Sequence, residues 1–212
     1  MSSTGSLLVS AEVFGWGRQD TVTDAPSGIV VDISEMPVKG VRDAKLALIE
    51  FSDYECPYCQ RHAATVFDEL TERFVATGEV LYAFANHPLE SHPNAVLLAT
   101  AAICAGEQNL YWEMHDRIFT TRATTPFGIL VLAEELVEEM ALDSVAFQGC
   151  LERPEPPLEI ARDVKIAQDL GLVGTPGFAL GRMNPDGTVV VEKLILGAQS
   201  LTVFDSAISE ML

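Results

Sequence analysis

Leu48-Ile49-Glu50-Phe51-Ser52-Asp53-Tyr54-Glu55-Cys56-Pro57-Tyr58-Cys59 is the stretch on which the fold turns. The apolar run Leu46 to Phe51 predicts a buried strand, and Ser52-Asp53-Tyr54-Glu55 a connecting loop. Pro57 suits a first helical position, having no N–H to lose. Ala63, Val66/Phe67, Leu70 and Phe74 recur at steps of three and four until Gly78 can cap the end, and Glu79 to Phe84 reads as a second strand. The unit is strand, helix, strand, with both cysteines at the first junction.

Working outward, residues 1–43 mix Gly, Ser, Thr, Asp and Pro with short apolar runs and predict an arm or edge strand. From His92 to about Gly171 the pattern is helical: Pro93 to Gly106, Asn109 to Thr120, Thr125-Pro126 to Ala141, a short piece around Phe147 to Leu151, and Pro157 to Leu170. Strands return at Phe178 to Leu180 and, after the turn Asn184-Pro185-Asp186-Gly187, at Val189 to Leu196; a helix Leu201 to Met211 ends the chain. This is an α/β sheet interrupted by helices. The expected division is 1–43 as the arm or edge strand, 44–91 with 172–212 as the sheet domain, and 92–171 as the helical insertion with its return helix.

The chain has 212 residues, 48% hydrophobic and 21% charged, which fits a folded protein able to bury its own core. Its 31 acidic against 13 Lys and Arg residues give a formal charge of −18, a surface that repels phosphate backbones and excludes nucleic acid as an expected partner. No apolar run of about 18 residues is present to span a bilayer. The start lacks a basic and a long apolar region, so as written there is no signal peptide and the chain reads as cytoplasmic; one trimmed of its signal would look the same and be extracytoplasmic or periplasmic.

Cys56 falls at a helix N-terminus, where unpaired N–H groups and the helix dipole favour a thiolate. Cys59 lies one turn deeper, placed to attack a mixed disulfide formed at Cys56. The pair suits thiol–disulfide exchange. A CxxC can also be half of a zinc site, but no second CxxC follows, and neither Cys104 nor Cys150 has a His or Cys at ligand spacing. Glu50 ends a strand six residues before Cys56. Facing inward, it would be desolvated beneath the helix, with a raised pKa, and could exchange protons with Cys59; facing outward, it would be an ordinary surface acid. Thr175-Pro176 suits a cis peptide whose backbone pairs with an extended substrate, or else an ordinary trans loop proline. Cys104 and Cys150 would close a 46-residue loop if bridged, the reading slightly favoured, or pack as separate small hydrophobes. His62, His87, His92 and His115 form no ligand motif and read as helix-surface, loop or N-terminal residues, so no metal is expected. Glu134-Glu135 with Glu138-Glu139 reads as a solvated helix face, and Trp112 and Phe119 as insertion core.

Together with Asn86-His87-Pro88-Leu89, His92-Pro93-Asn94-Ala95, Tyr111-Trp112-Glu113-Met114-His115-Asp116, Gly174-Thr175-Pro176-Gly177-Phe178 and Gly197-Ala198-Gln199, the opening stretch resembles the DsbA-like family of thiol–disulfide oxidoreductases over about residues 38–212. The resemblance implies a thioredoxin-like fold with an inserted all-helical subdomain and no cofactor. It implies Cys56 as attacking thiolate, Cys59 as resolving thiol, Glu50 as buried acid, and Pro57, Tyr58, Thr175 and cis-Pro176 as the substrate-binding set. The implied activity is disulfide formation in cysteine-bearing protein substrates, with a membrane quinone-linked partner as reoxidant. A glutaredoxin-like or thioredoxin-like reductase or isomerase, or a non-enzymatic chaperone or assembly module, would use the same fold. Two features bear on oxidising power. The dipeptide Pro57-Tyr58 replaces the Pro-His of strong oxidants, so Tyr58 supplies no imidazole. It matches that of glutaredoxins, whose cis-proline follows much sooner than the 120 residues separating Pro176 from Cys56. Asp53 and Glu55 are also expected to raise the Cys56 pKa relative to a His-bearing site, making the protein a milder oxidant.

Overall fold

The computed structural model describes residues 21–121, 134–135 and 137–212. Seven strands form one sheet: β1 (Val22–Asp24), β2 (Val30–Asp32), β3 (Val38–Lys39), β4 (Leu46–Ser52), β5 (Val80–Asn86), β6 (Gly177–Met183) and β7 (Thr188–Leu196). Their order is β1-β7-β6-β4-β5-β3, with β2 also on β7. β4 and β5 run parallel, Glu50 beside Phe84, while β6 lies antiparallel on the other side of β4, with Phe178 beside Glu50. Every residue of β4 and β5 is buried, as expected of a parallel pair covered on both faces. This is the thioredoxin-like architecture with added helices.

Alternation along β4 assigns the faces. Ala47, Ile49 and Phe51 pack with Ala167, Leu170 and Leu172 on one side; Leu46 and Leu48 pack with Phe67, Leu70 and Phe204 on the other. Glu50 shares parity with Leu46 and Leu48, so its side chain enters the second layer, as does that of Tyr82 on β5. Residues 21–43 supply edge strands: β1 and β2 extend one edge, β3 the other, and Val31, Ile33 and Met36 enter the first layer.

The helix after β4 begins as α1 (Pro57–His62) and continues through a π-helical stretch (Ala63–Phe67), an α turn (Asp68–Leu70) and a second π stretch (Thr71–Val75). The sequence predicts plain α-helix. Val66, Phe67, Phe74 and Val75 are buried along it. The remaining helices are α2 (Ala95–Gly106), α3 (Tyr111–Thr121), α4 (Ser144–Leu151), α5 (Glu155–Asp169) and α6 (Leu201–Met211). Of the helix expected from Thr125 to Ala141, residues 125–133 and 136 lie outside the described residues, and 134–135 and 137–139 are helical with exposed glutamates. Phe119 is buried in the helical cluster, and Trp112 packs against it while donating from Nε1 to the Val38 carbonyl.

Cys104 of α2 and Cys150 of α4 are disulfide-bonded, with Cα atoms 5.7 Å apart. The bridge closes 46 residues of chain, so loop-closure entropy assigns it roughly 4 kcal/mol. Replacing both cysteines by Ala should lower the thermal midpoint under non-reducing conditions by roughly 8–16 °C and leave Cys56 alkylation unchanged. An unshifted midpoint in calorimetry would show that the bridge adds no stability.

Candidate active site

Cys56 is the N-cap of α1, with extended backbone (φ −70°, ψ 122°), and Pro57 opens the helix. No side chain caps this end, so the unpaired N–H groups of the first turn are left to the Cys56 sulfur. Hydrogen bonding from Cys59 is the largest influence on the Cys56 thiol; burial opposes it, and hydrogen bonds with Thr175 and the Cys59 and Tyr58 backbone reinforce it. The balance lowers the thiol to about 5, against an ordinary 9.0. Cys59 is fully buried, and burial, the hydrogen bond with Cys56 and the Glu50 charge hold its thiol well above the ordinary range. Three residues apart on one helix, the sulfurs are driven in opposite directions.

The Thr175-Pro176 peptide is cis, and the Thr175 carbonyl oxygen lies 3.4 Å from Cys56 Sγ. Glu50 is 2% exposed, so its carboxylate faces inward and is not the surface acid that spacing alone allows. It accepts a hydrogen bond from Tyr82 Oη, and His62 Nε2 stands 4.0 Å from Oε2. Tyr58 is 56% exposed beside Cys56 and offers an apolar surface.

Asp53 and Glu55 do not figure among the leading influences on the Cys56 thiol. Asp53 is occupied, accepting from the backbone N–H of Glu55 and of Leu89, each at 2.8 Å, and pairing with His92 Nδ1 at 2.7 Å. Glu55 accepts from the Asn94 backbone at 2.5 Å and from its side chain at 3.0 Å. Both acids therefore clamp residues 89–94 to the cysteine loop, and hydrogen bonds dominate the thiol. The histidines are not all plain surface or loop residues either. His62 and His115 are each 1% exposed. Partial burial disfavours a charged His92, but Asp53 outweighs it and, with a contribution from Cys56, raises its pKa. An imidazole thus reaches this region from 36 residues downstream although the dipeptide carries none. Sequence reading missed Tyr82, His62 and His92; the signals available were the parity of Tyr82 within its strand and the three-residue step from Cys59 to His62.

Among the described residues, no group of three or more His, Cys, Asp or Glu could hold a metal ion, and no helix is long and apolar enough to cross a membrane.

The lowered Cys56 thiol predicts a thiolate absorbance titration with its midpoint at about 5 in the reduced protein. Because the folded value lies below the unfolded one, Cys56 adds stability that is complete above about 9 and is lost as pH falls through about 5. The thermal midpoint of the reduced protein, measured against Cys56→Ser, should therefore rise across that interval and converge with it below. A titration midpoint near 9 would overturn the assignment.

Residues 34–194 match the family model described as thioredoxin. A relative from Salinispora arenicola, named Na(+)/H(+) antiporter NhaA 1, is 32% identical over 168 residues, covering 78% of this chain and 24% of that protein. Bacillus subtilis disulfide bond formation protein D is 27% identical over 107 residues, covering 50% of this chain and 46% of that protein. The chain spans about a quarter of the length of the first curated relatives it matches. Among solved structures, Wolbachia pipientis alpha-DsbA1 superposes with a TM-score of 0.71 at 21% identity, over 85% of this chain and 92% of that one, a likeness of fold. A family match running from just before β3 into β7, over most of the chain, makes this protein a member of the thioredoxin family that this model describes.

Proposed function

We propose that this protein is a thiol–disulfide oxidoreductase working as a dithiol oxidase, forming disulfides in cysteine-bearing protein substrates through Cys56 and Cys59. The observation that carries the reading is the opposite proton affinity of the two sulfurs, Cys56 lowered to about 5 and Cys59 raised. A substrate thiolate attacks Sγ of Cys56 in the oxidised pair. Its electron pair forms the new S–S bond, the Cys56–Cys59 bond breaks, and that pair goes to Cys59, which takes up a proton from the buried Glu50 side. A second substrate thiolate then attacks the substrate sulfur of the mixed disulfide and expels Cys56. A thiolate that holds its proton weakly is a good leaving group, and stabilising it in the reduced protein raises the potential. Substrate leaves with two electrons fewer, and the enzyme is left as a dithiol.

The Thr175–Pro176 loop supports an extended, weakly selective mode of substrate binding, because its backbone lies beside the reactive sulfur. Pro57 and Tyr58 would line the same surface. The reduced pair needs an external oxidant, for which a membrane quinone-linked partner is the family's expected class. Residues 44–91 and 172–212 would supply the exchange chemistry, with 92–171 as the helical insertion that walls it.

Equilibration with glutathione tests the direction. A Cys56–Cys59 potential above about −200 mV supports an oxidase, and one near about −270 mV would make the protein a reductase. Cys56→Ser should abolish exchange with a dithiol peptide; undiminished exchange would remove the CxxC from the chemistry.

A further inference from the structure

One helical turn beyond Cys59 lies a polar group that the exchange chemistry above does not use. His62 follows Cys59 by three residues on α1, on the same buried face, and is 1% exposed. Among the described residues, neither Nδ1 nor Nε2 has a hydrogen-bond partner. A neutral imidazole needs both a donor and an acceptor position filled, and leaving either orphaned in the core is costly, so such a group calls for a reason. Its surroundings supply one. β4 presents Glu50, whose Oε2 is 4.0 Å from Nε2, and β5 presents Tyr82, which donates to the same carboxylate oxygen. α3 contributes His115, which disfavours a charged His62, and α1 contributes Cys59. From β6 and α6 come only the rings of Phe178 and Phe204, with centroids 4.8 and 5.5 Å from the imidazole. Among the described residues, the polar group recorded beside Nε2 is the carboxylate assigned to proton exchange with Cys59, at 4.0 Å.

We propose that His62 is a positioning residue for that exchange: its imidazole shares with Glu50 the proton that leaves and returns to Cys59. In the reduced protein the proton sits on Cys59, Glu50 is a carboxylate and His62 is neutral, as its burial favours. When Cys59 resolves a mixed disulfide, its S–H bond breaks and the proton passes to Glu50 Oε2 and is shared with Nε2. The Cys59 electron pair forms the bond to Cys56, and the departing thiolate carries off the electrons of the broken one. On reduction the proton returns. The protein thus keeps one proton within its core through the cycle, and no path to bulk water is needed beneath a fully buried sulfur. The inference rests on the exchange reading given above.

The test uses the reduced full chain and an aromatic disulfide, dithiobis-nitrobenzoate, in stopped flow. Cys56 attack releases one coloured thiolate and Cys59 resolution a second, so the two sulfurs are read separately. His62→Phe and His62→Gln are expected to leave the first phase within twofold. They should slow the second about tenfold near neutral pH and displace its pH profile upward, below the loss of about 100-fold or more that Glu50→Gln should produce by removing the direct proton acceptor. Gln preserves hydrogen bonding but cannot take a proton, so a second phase restored to the wild-type rate in His62→Gln would overturn proton sharing. So would a wild-type profile in both variants. His62→Phe removes an unpartnered buried polar group and should melt no lower than wild type; lost stability together with a slowed first phase would mean the ring is needed for packing, which also overturns the proposal. Failure of the exchange reading has a separate signature: wild type itself would release no second thiolate, or Glu50→Gln would leave the second phase untouched.

Discussion

One strand, β4, places a carboxylate and two sulfurs in environments that water would never allow to differ so much. Its pleat sends Glu50 into the layer beneath α1, and its end turns so that Cys56 becomes the N-cap of that helix. Cys56 keeps the helix-end N–H groups, while Cys59, one turn further in, loses solvent altogether. The two thiols would titrate alike in an unfolded chain. Folding separates them because a helix terminus stabilises charge and a core penalises it. Exchange chemistry depends on that difference, and the neighbouring elements maintain it: β5 brings Tyr82 to Glu50, and β6 brings the cis-Pro loop to Cys56.

The protein's acidity takes on a specific meaning at this loop. Asp53 and Glu55 flank the cysteines but spend their oxygen atoms on backbone and side-chain donors from residues 55 and 89–94. Charge-assisted hydrogen bonds of this kind fix geometry, and hydrogen bonds and burial are the leading influences on the sulfur. Two residues that look like electrostatic opponents of the thiolate are the staples that hold its loop in register with the entrance to α2.

The core beneath the site is unusual in mixing aromatic rings with histidines. His115 stands among Tyr54, Phe67, Phe84, Trp112 and Phe119, and His62 between Phe178 and Phe204. Apolar replacements would pack such positions at lower cost. Retaining the His62 imidazole beside the proposed proton exchange trades stability for chemistry, a common pattern at functional sites.

Much of this was legible along the chain because it is local. A strand, a CxxC and a helix in immediate succession determine that Cys56 meets a helix N-terminus, since capping and dipole act within one turn. The apolar periods of 2 and 3.6 located β4 through β7 and most helices, with bounds displaced by a few residues. The inward face of Glu50, the partnership of Tyr82, His62 and His92, the Cys104–Cys150 bridge and the insertion of residues 30–36 into the core were decided only by tertiary structure. Each depends on groups 12 to 46 residues apart, or on which face of a strand is covered. Sequence by itself determined where a reactive thiolate could form. Tertiary packing decided how deeply its partner thiol is buried and which groups stand around it, because desolvation comes from the whole surrounding shell and not from neighbours in the chain.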